Sequence, residues 1–100
     1  MPEEVGKPLK CMAHAWALSN FIDGATDTFY GGDAPTQGQV DDILTELSAL
    51  SDCAPPQMDQ VAMMVKQAKD AMGGGNRDEA FRLMSQARRQ LSDMMNQWRG

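Results

Sequence analysis

The sequence predicts an all-α protein, a small four-helix domain that ends in an antiparallel helical hairpin and forms a dimer. Three observations carry this. Apolar residues recur at helical spacing in four stretches, and clusters of glycine and proline separate those stretches. β-branched and aromatic residues are too sparse, and too rarely alternate with polar ones, to read as strands. With 100 residues and 11.0 kDa the chain has room for one domain and one thin core.

The first helix is expected over about residues 9–30. Pro8 suits a first helical turn, where its missing N–H has no partner to lose, and Gly31 and Gly32 stop the helix. In the next segment Thr36 and Gln39 have the spacing of a capping box, in which each side chain satisfies a backbone donor of the other. Helix two, about 37–51, then carries Val40, Ile43, Leu44, Leu47 and Leu50 on one stripe. Pro55 and Pro56 cannot continue it. Helix three, about 56–72, presents Met58, Val61, Ala62, Val65, Ala68 and Met72, and Gly73-Gly74-Gly75 closes it. Asn76 with Glu79 caps helix four, about 77–98. Its stripe of Ala80, Met84, Ala87, Leu91, Met94 and Trp98 is a strict heptad seam.

Helix one is apolar on two sides. Cys11, Ala15, Leu18, Ile22, Ala25 and Phe29 form a heptad stripe, while Leu9, Met12, Ala13 and Trp16 lie nearly opposite. A helix apolar all round is central in its fold or sandwiched between two surfaces. We assign Leu9 and Trp16 to the bundle and the heptad stripe to another chain. The expected protein-binding interface is therefore Leu18, Phe21, Ile22, Ala25 and Phe29. The small Ala15 and Ala25 would let a second helix approach. This surplus of apolar surface, with the seam of helix four, is the reason to expect a homodimer.

Charge limits the possible partners. The formal net charge is −5, and no Lys or Arg stands between Lys10 and Lys66, whereas Asp23, Asp27, Asp33, Asp41, Asp42, Glu46, Asp52 and Asp59 fall there. From Arg77 onward five arginines outnumber three acids. The chain lacks the basic footprint of a nucleic-acid binder, but its acidic middle and basic last helix can attract one another, within a chain or between two. The N-terminal segment is a poor signal peptide and too short an apolar run to span a bilayer. A soluble, cytoplasmic protein is expected, with Cys11 and Cys53 reduced.

No catalytic constellation can be assembled, so an enzyme is not expected. Cys11 and His14, three apart, could reach one ion with Cys53 as a third ligand, but a structural zinc site takes four such ligands and the chain holds only three. The nine methionines fall largely on helix faces that a core needs, which disfavours copper. Gly73-Gly74-Gly75 follows no strand and precedes no GK[ST], so it is no phosphate loop. No cofactor is expected.

The segment GNRDEAFRLMSQA, with Gly75, Asn76, Glu79, Ala80, Leu83 and Ala87, resembles the opening of a tetratricopeptide-type helix. No second copy follows at the repeat's period, and the match implies a helical hairpin only. In size, acidity and helicity the chain resembles the small helical bacterial antiactivators of LuxR-type quorum-sensing regulators. That resemblance implies a protein partner, a transcription regulator held inactive by covering its dimerisation surface or blocking its DNA binding. Two other readings stand beside it. One is a metal- or redox-responsive bundle using Cys11, His14 and Cys53. The other is an acidic DNA mimic, for which the eight acids between Lys10 and Lys66 are sparse.

Overall fold

The computed structural model describes the backbone of residues 2–53 and 55–99 and the side chains of 9–53 and 56–98. It is a bundle of four helices, α1 Pro2–Tyr30, α2 Gln37–Leu50, α3 Pro55–Gly73 and α4 Arg77–Arg99, with no strand among the described residues. The bundle is elongated, 49 × 21 × 21 Å. α1 packs on α2 and α4, α3 packs most extensively on α4 and more lightly on α2, and among the described residues the diagonal pairs do not meet. Each helix thus has two neighbours, with one core between the four.

α1 begins at Pro2, well before the start expected near Leu9. Proline tolerates the first position of a helix, where its missing N–H has no partner to lose. Pro8 lies inside the helix, where it removes one backbone donor without ending it. Both glycine turns close as expected of left-handed helix ends. Gly32 has φ +91°, with Asp33 N donating to Thr28 O at 3.1 Å and Gly32 N to Phe29 O at 2.9 Å. Gly75 has φ +80°, with Asn76 N donating to Ala71 O at 2.8 Å and Gly75 N to Met72 O at 3.1 Å. These pairs are the two bonds of a Schellman cap.

The capping box of α2 is complete: Thr36 Oγ1 accepts from Gln39 N at 3.2 Å and Gln39 Oε1 accepts from Thr36 N at 2.8 Å. The same Gln39 side chain donates to Thr28 Oγ1 at 3.1 Å, tying the start of α2 to the end of α1. At α4, Asn76 Oδ1 accepts from Glu79 N at 3.2 Å. The Glu79 carboxylate turns outward and accepts from Arg82, whose guanidinium pKa that hydrogen bond raises.

The core holds Leu18, Ile22, Ile43, Leu50, Val61, Val65, Met84, Leu91 and Met94, all but inaccessible to water. Fully buried Ala15, Ala25, Ala68, Ala80 and Ala87 lie among them and leave room for close helix approach. At one end of the bundle Phe29 stacks on Phe81 with ring centroids 5.7 Å apart, and Tyr30 meets Phe81 edge-on at 5.4 Å.

The structure reverses the roles expected for the two faces of α1. Leu18, Ile22 and Ala25 are 0% exposed and Phe29 is 6% exposed, all within the chain's own core, and of the expected interface only Phe21 reaches the surface. Leu9 and Trp16, expected to anchor α1, face outward instead. The reason lies further along the helix. The heptad stripe stays apolar from Cys11 to Phe29, whereas the Leu9–Trp16 stripe runs on into Asn20, Asp23 and Asp27. Turning that stripe inward would bury carboxylates, which costs far more than exposing one Leu and one Trp. Leu18→Arg or Ile22→Arg is therefore expected to unfold the single chain, with a loss above about 4 kcal/mol. Thermal melting followed by circular dichroism checks this. A midpoint within about 2 °C of the parent would place the stripe outside the core.

Candidate functional site

Polar contacts and one covalent bond hold α1 and the turn after it in place. Cys11 and Cys53 form a disulfide with Cα atoms 5.9 Å apart, across a sequence separation of 42. The expectation of reduced cysteines is thus corrected: the first turns of α1 and the α2–α3 connection meet at the same end of the bundle, closely enough to bridge. His14 Nδ1 lies 2.9 Å from Glu46 Oε1 on α2. Arg88 of α4 grips Asp23 of α1 with two nitrogens, Nε to Oδ1 at 2.8 Å and Nη2 to Oδ2 at 3.4 Å, and also touches Ser92 Oγ. Arg77, at the start of α4, donates to the Gly32 carbonyl.

This arrangement removes the ligand set proposed for a metal. Both sulfurs are committed to each other, and His14 is engaged by a carboxylate. No group of three or more His, Cys, Asp or Glu among the described residues could hold an ion. A depression of about 440 Å³ lies where the two glycine turns approach and is lined by Ala34, Met72, Gly75, Asn76, Arg77 and Asp78. It is open to water and offers one base, one acid and no nucleophile, so no proton relay or covalent chemistry can be built from it.

What remains is the outward face of α1. Leu9 is 66% exposed and Trp16 52%, with Ala13 exposed between them and Met12 half-buried alongside. From Leu9 to Phe21 the only charged side chain on this face is Lys10. The other helices present polar faces to water: Asp41, Asp42 and Thr45 on α2, Asp59, Lys66 and Asp70 on α3, Arg82, Arg89 and Asp93 on α4. Met63 of α3, also exposed, stands alone in such a face. The His14–Glu46 contact borders the apolar face on the α2 side. On the α4 side a shallow groove runs beside Trp16, lined by Ser19, Arg88, Ser92, Met95 and Asn96. Exposed apolar side chains scattered singly are ordinary, but a contiguous stripe rimmed by polar groups marks a binding surface.

Of the expected interface, only Phe21, 38% exposed, adjoins this face. The signal that could have found the rest was the position of Asp23 and Asp27, in line with Leu9 and Trp16 and away from Leu18 and Ile22. No helix among the described residues is long and apolar enough to cross a membrane. Comparison of the chain with protein-family models, with curated proteins and with solved structures gives no match.

The disulfide is expected to carry much of the stability. Closing a loop of this length removes about 4 kcal/mol of denatured-chain entropy in the loop-closure model. Reduction, or the double substitution Cys11→Ser with Cys53→Ser, should lower the melting midpoint by more than about 10 °C. Unchanged melting with and without a reductant would show that the bridge does not constrain the chain.

Proposed function

We propose that the chain is a protein–protein interaction module, a small helical regulator that offers the outward face of α1 to a protein partner and catalyses no reaction. The observation that carries this is the Leu9–Ala13–Trp16 stripe, an apolar helix face left exposed beside a closed core, with Lys10 as its one charge among the described residues. α4 packs on α1 and is itself braced by α3. The turn at Gly74-Gly75-Asn76 joins α3 to α4 at one end, and Gln57 donates to Gln97 at 3.0 Å at the other, which supports the reading of an antiparallel hairpin.

Within this proposal the partner is a regulator with an apolar dimerisation surface of its own. The chain shares size, acidity and helical make-up with the small antiactivators of LuxR-type regulators, and an exposed Trp beside small residues is the kind of anchor that dominates such contacts. The DNA-mimic reading is less well supported. Two of its eight acids, Asp23 and Glu46, are already engaged by Arg88 and His14. The redox-responsive reading has one observation in its favour, the Cys11–Cys53 bridge beside Met12 on the same helix. The bridge also bears on the partner: disulfides persist in oxidising compartments and are rare in the cytoplasm, which weighs against a cytoplasmic transcription regulator.

Trp16→Glu and Leu9→Glu test the face. Each places a charge in solvent, so melting should stay within about 2 °C of the parent. A partner protein captured by the parent chain from its native lysate should be lost by both variants. Equal capture of that protein by parent and variants would exclude this face as the binding surface.

A further inference from the structure

The Cys11–Cys53 bridge stands where α1 has little else to hold it. Ahead of Leu18, the described side chains that α1 packs on the core side are Cys11, Met12 and Ala15. Cys11 and Ala15 are small, and Met12 is only half-buried. Leu18 is the first large side chain of the described part of α1 that is closed off from water. The His14–Glu46 contact over these turns is partly exposed, and such pairs contribute little. Just ahead, Pro8 lacks the N–H that would tie its turn to the one before.

The same end of the bundle is well filled by the other helices. Leu50 of α2, Met58 of α3 and Met94 of α4 are buried there. α3 and α4 form the most extensive contact of the fold, and Gln57 donates to Gln97 across it. The core therefore does not depend on the early turns of α1, whereas those turns depend on the bridge. Ordering each residue costs backbone entropy that buried surface must offset. A helix end that buries little opens locally at far lower cost than the whole fold. Here a covalent bond supplies the restraint that apolar burial does not.

We propose that the Cys11–Cys53 bridge is a redox latch. Reduction frees the turns of α1 before Leu18 to fray from the bundle, while the rest of the fold stays closed, and so dismantles the Leu9–Trp16 face. Reoxidation restores it. The effect on binding rests on the reading of that face as a binding surface; the latch itself does not. The reductant is a dithiol. One of its sulfurs, as a thiolate, attacks Sγ of Cys53, the half-buried partner, because access decides which sulfur is attacked. The bond between the two protein sulfurs breaks, and the Cys11 sulfur leaves with the bonding pair and takes a proton. The second sulfur of the dithiol then attacks the first, and Cys53 leaves as a thiolate that takes the other proton. The bridge has gained two electrons and two protons, and the dithiol has become a disulfide. Both products on the chain are neutral thiols, which pack as small apolar groups and leave the core undisturbed.

Hydrogen exchange read by mass spectrometry tests this on the full chain, oxidised and after addition of dithiothreitol, below the melting transition of the reduced form. Amides of residues 10–16 should exchange about tenfold faster on reduction, and those of residues 61–68 in α3 and 83–94 in α4 should change by less than about threefold. Replacing the dithiol with oxidised glutathione should restore the first pattern. Cys11→Ser with Cys53→Ser should show the reduced pattern with and without dithiothreitol. Equal exchange in the oxidised and reduced parent overturns the latch. Loss of protection in all four helices together overturns its local character. Capture of a lysate protein separates the two readings. The reduced parent and the double variant should both capture less of it than the oxidised parent does. Undiminished capture by a reduced chain whose early turns exchange fast overturns the Leu9–Trp16 face as the binding surface and leaves the latch standing. Unchanged exchange, with capture still lost in Trp16→Glu, overturns the latch and upholds the face.

Discussion

α1 has two faces capable of burial, but α2 and α4 can cover only one of them. The heptad stripe from Cys11 to Phe29 is apolar throughout and takes that place, filling the bundle with Leu18 and Ile22. Other features follow from that choice. With Leu18 inward, Asp23 emerges beside α4 where Arg88 can hold it, and His14 emerges beside α2 within reach of Glu46. Cys11, at the start of the same stripe, is turned toward the connection that carries Cys53. Leu9 and Trp16 are left outside because the stripe they begin ends in carboxylates.

The links that reinforce this orientation lie along α1 from Cys11 to Tyr30. The disulfide acts in its third turn and the Phe29–Phe81–Tyr30 cluster at its C-terminal end. Between them stand the two side-chain pairs to α2 and α4. The polar pairs are partly exposed and contribute little stability each, but they fix rotation about the helix axis. Rotation matters here, because a turn of the helix would exchange the buried and exposed apolar faces. Of the neighbouring pairs α2 and α3 touch least, and α4, which packs on both α1 and α3, ties the two sides of the bundle together.

The charge layout belongs to the same economy of form. An acidic α2 and a more basic α4 stand on either side of the exposed apolar face, and each is turned largely to solvent. Beside that face the nearest charged groups are engaged within the chain, Arg88 by Asp23 and Glu46 by His14.

Much of the fold was legible because it is encoded locally. The Thr36–Gln39 box, the glycine turns after Tyr30 and Gly73, the Asn76 cap and the heptad stripe of α4 each depend on residues a few positions apart, which is the range over which backbone hydrogen bonds and helical periodicity act. That α1 has one more apolar face than a thin bundle can use was legible for the same reason. Which face would be buried was not read correctly, although Asp23 and Asp27 carried the information, because weighing two stripes requires knowing what each would be packed against. The Cys11–Cys53 bridge, the Arg88–Asp23 grip and the His14–Glu46 contact join residues tens of positions apart. Nothing in their spacing announces them. Only the packing of α1 against both α2 and α4 decides which side chains come within bonding distance, since that depends on how whole helix faces, not neighbouring residues, fit together.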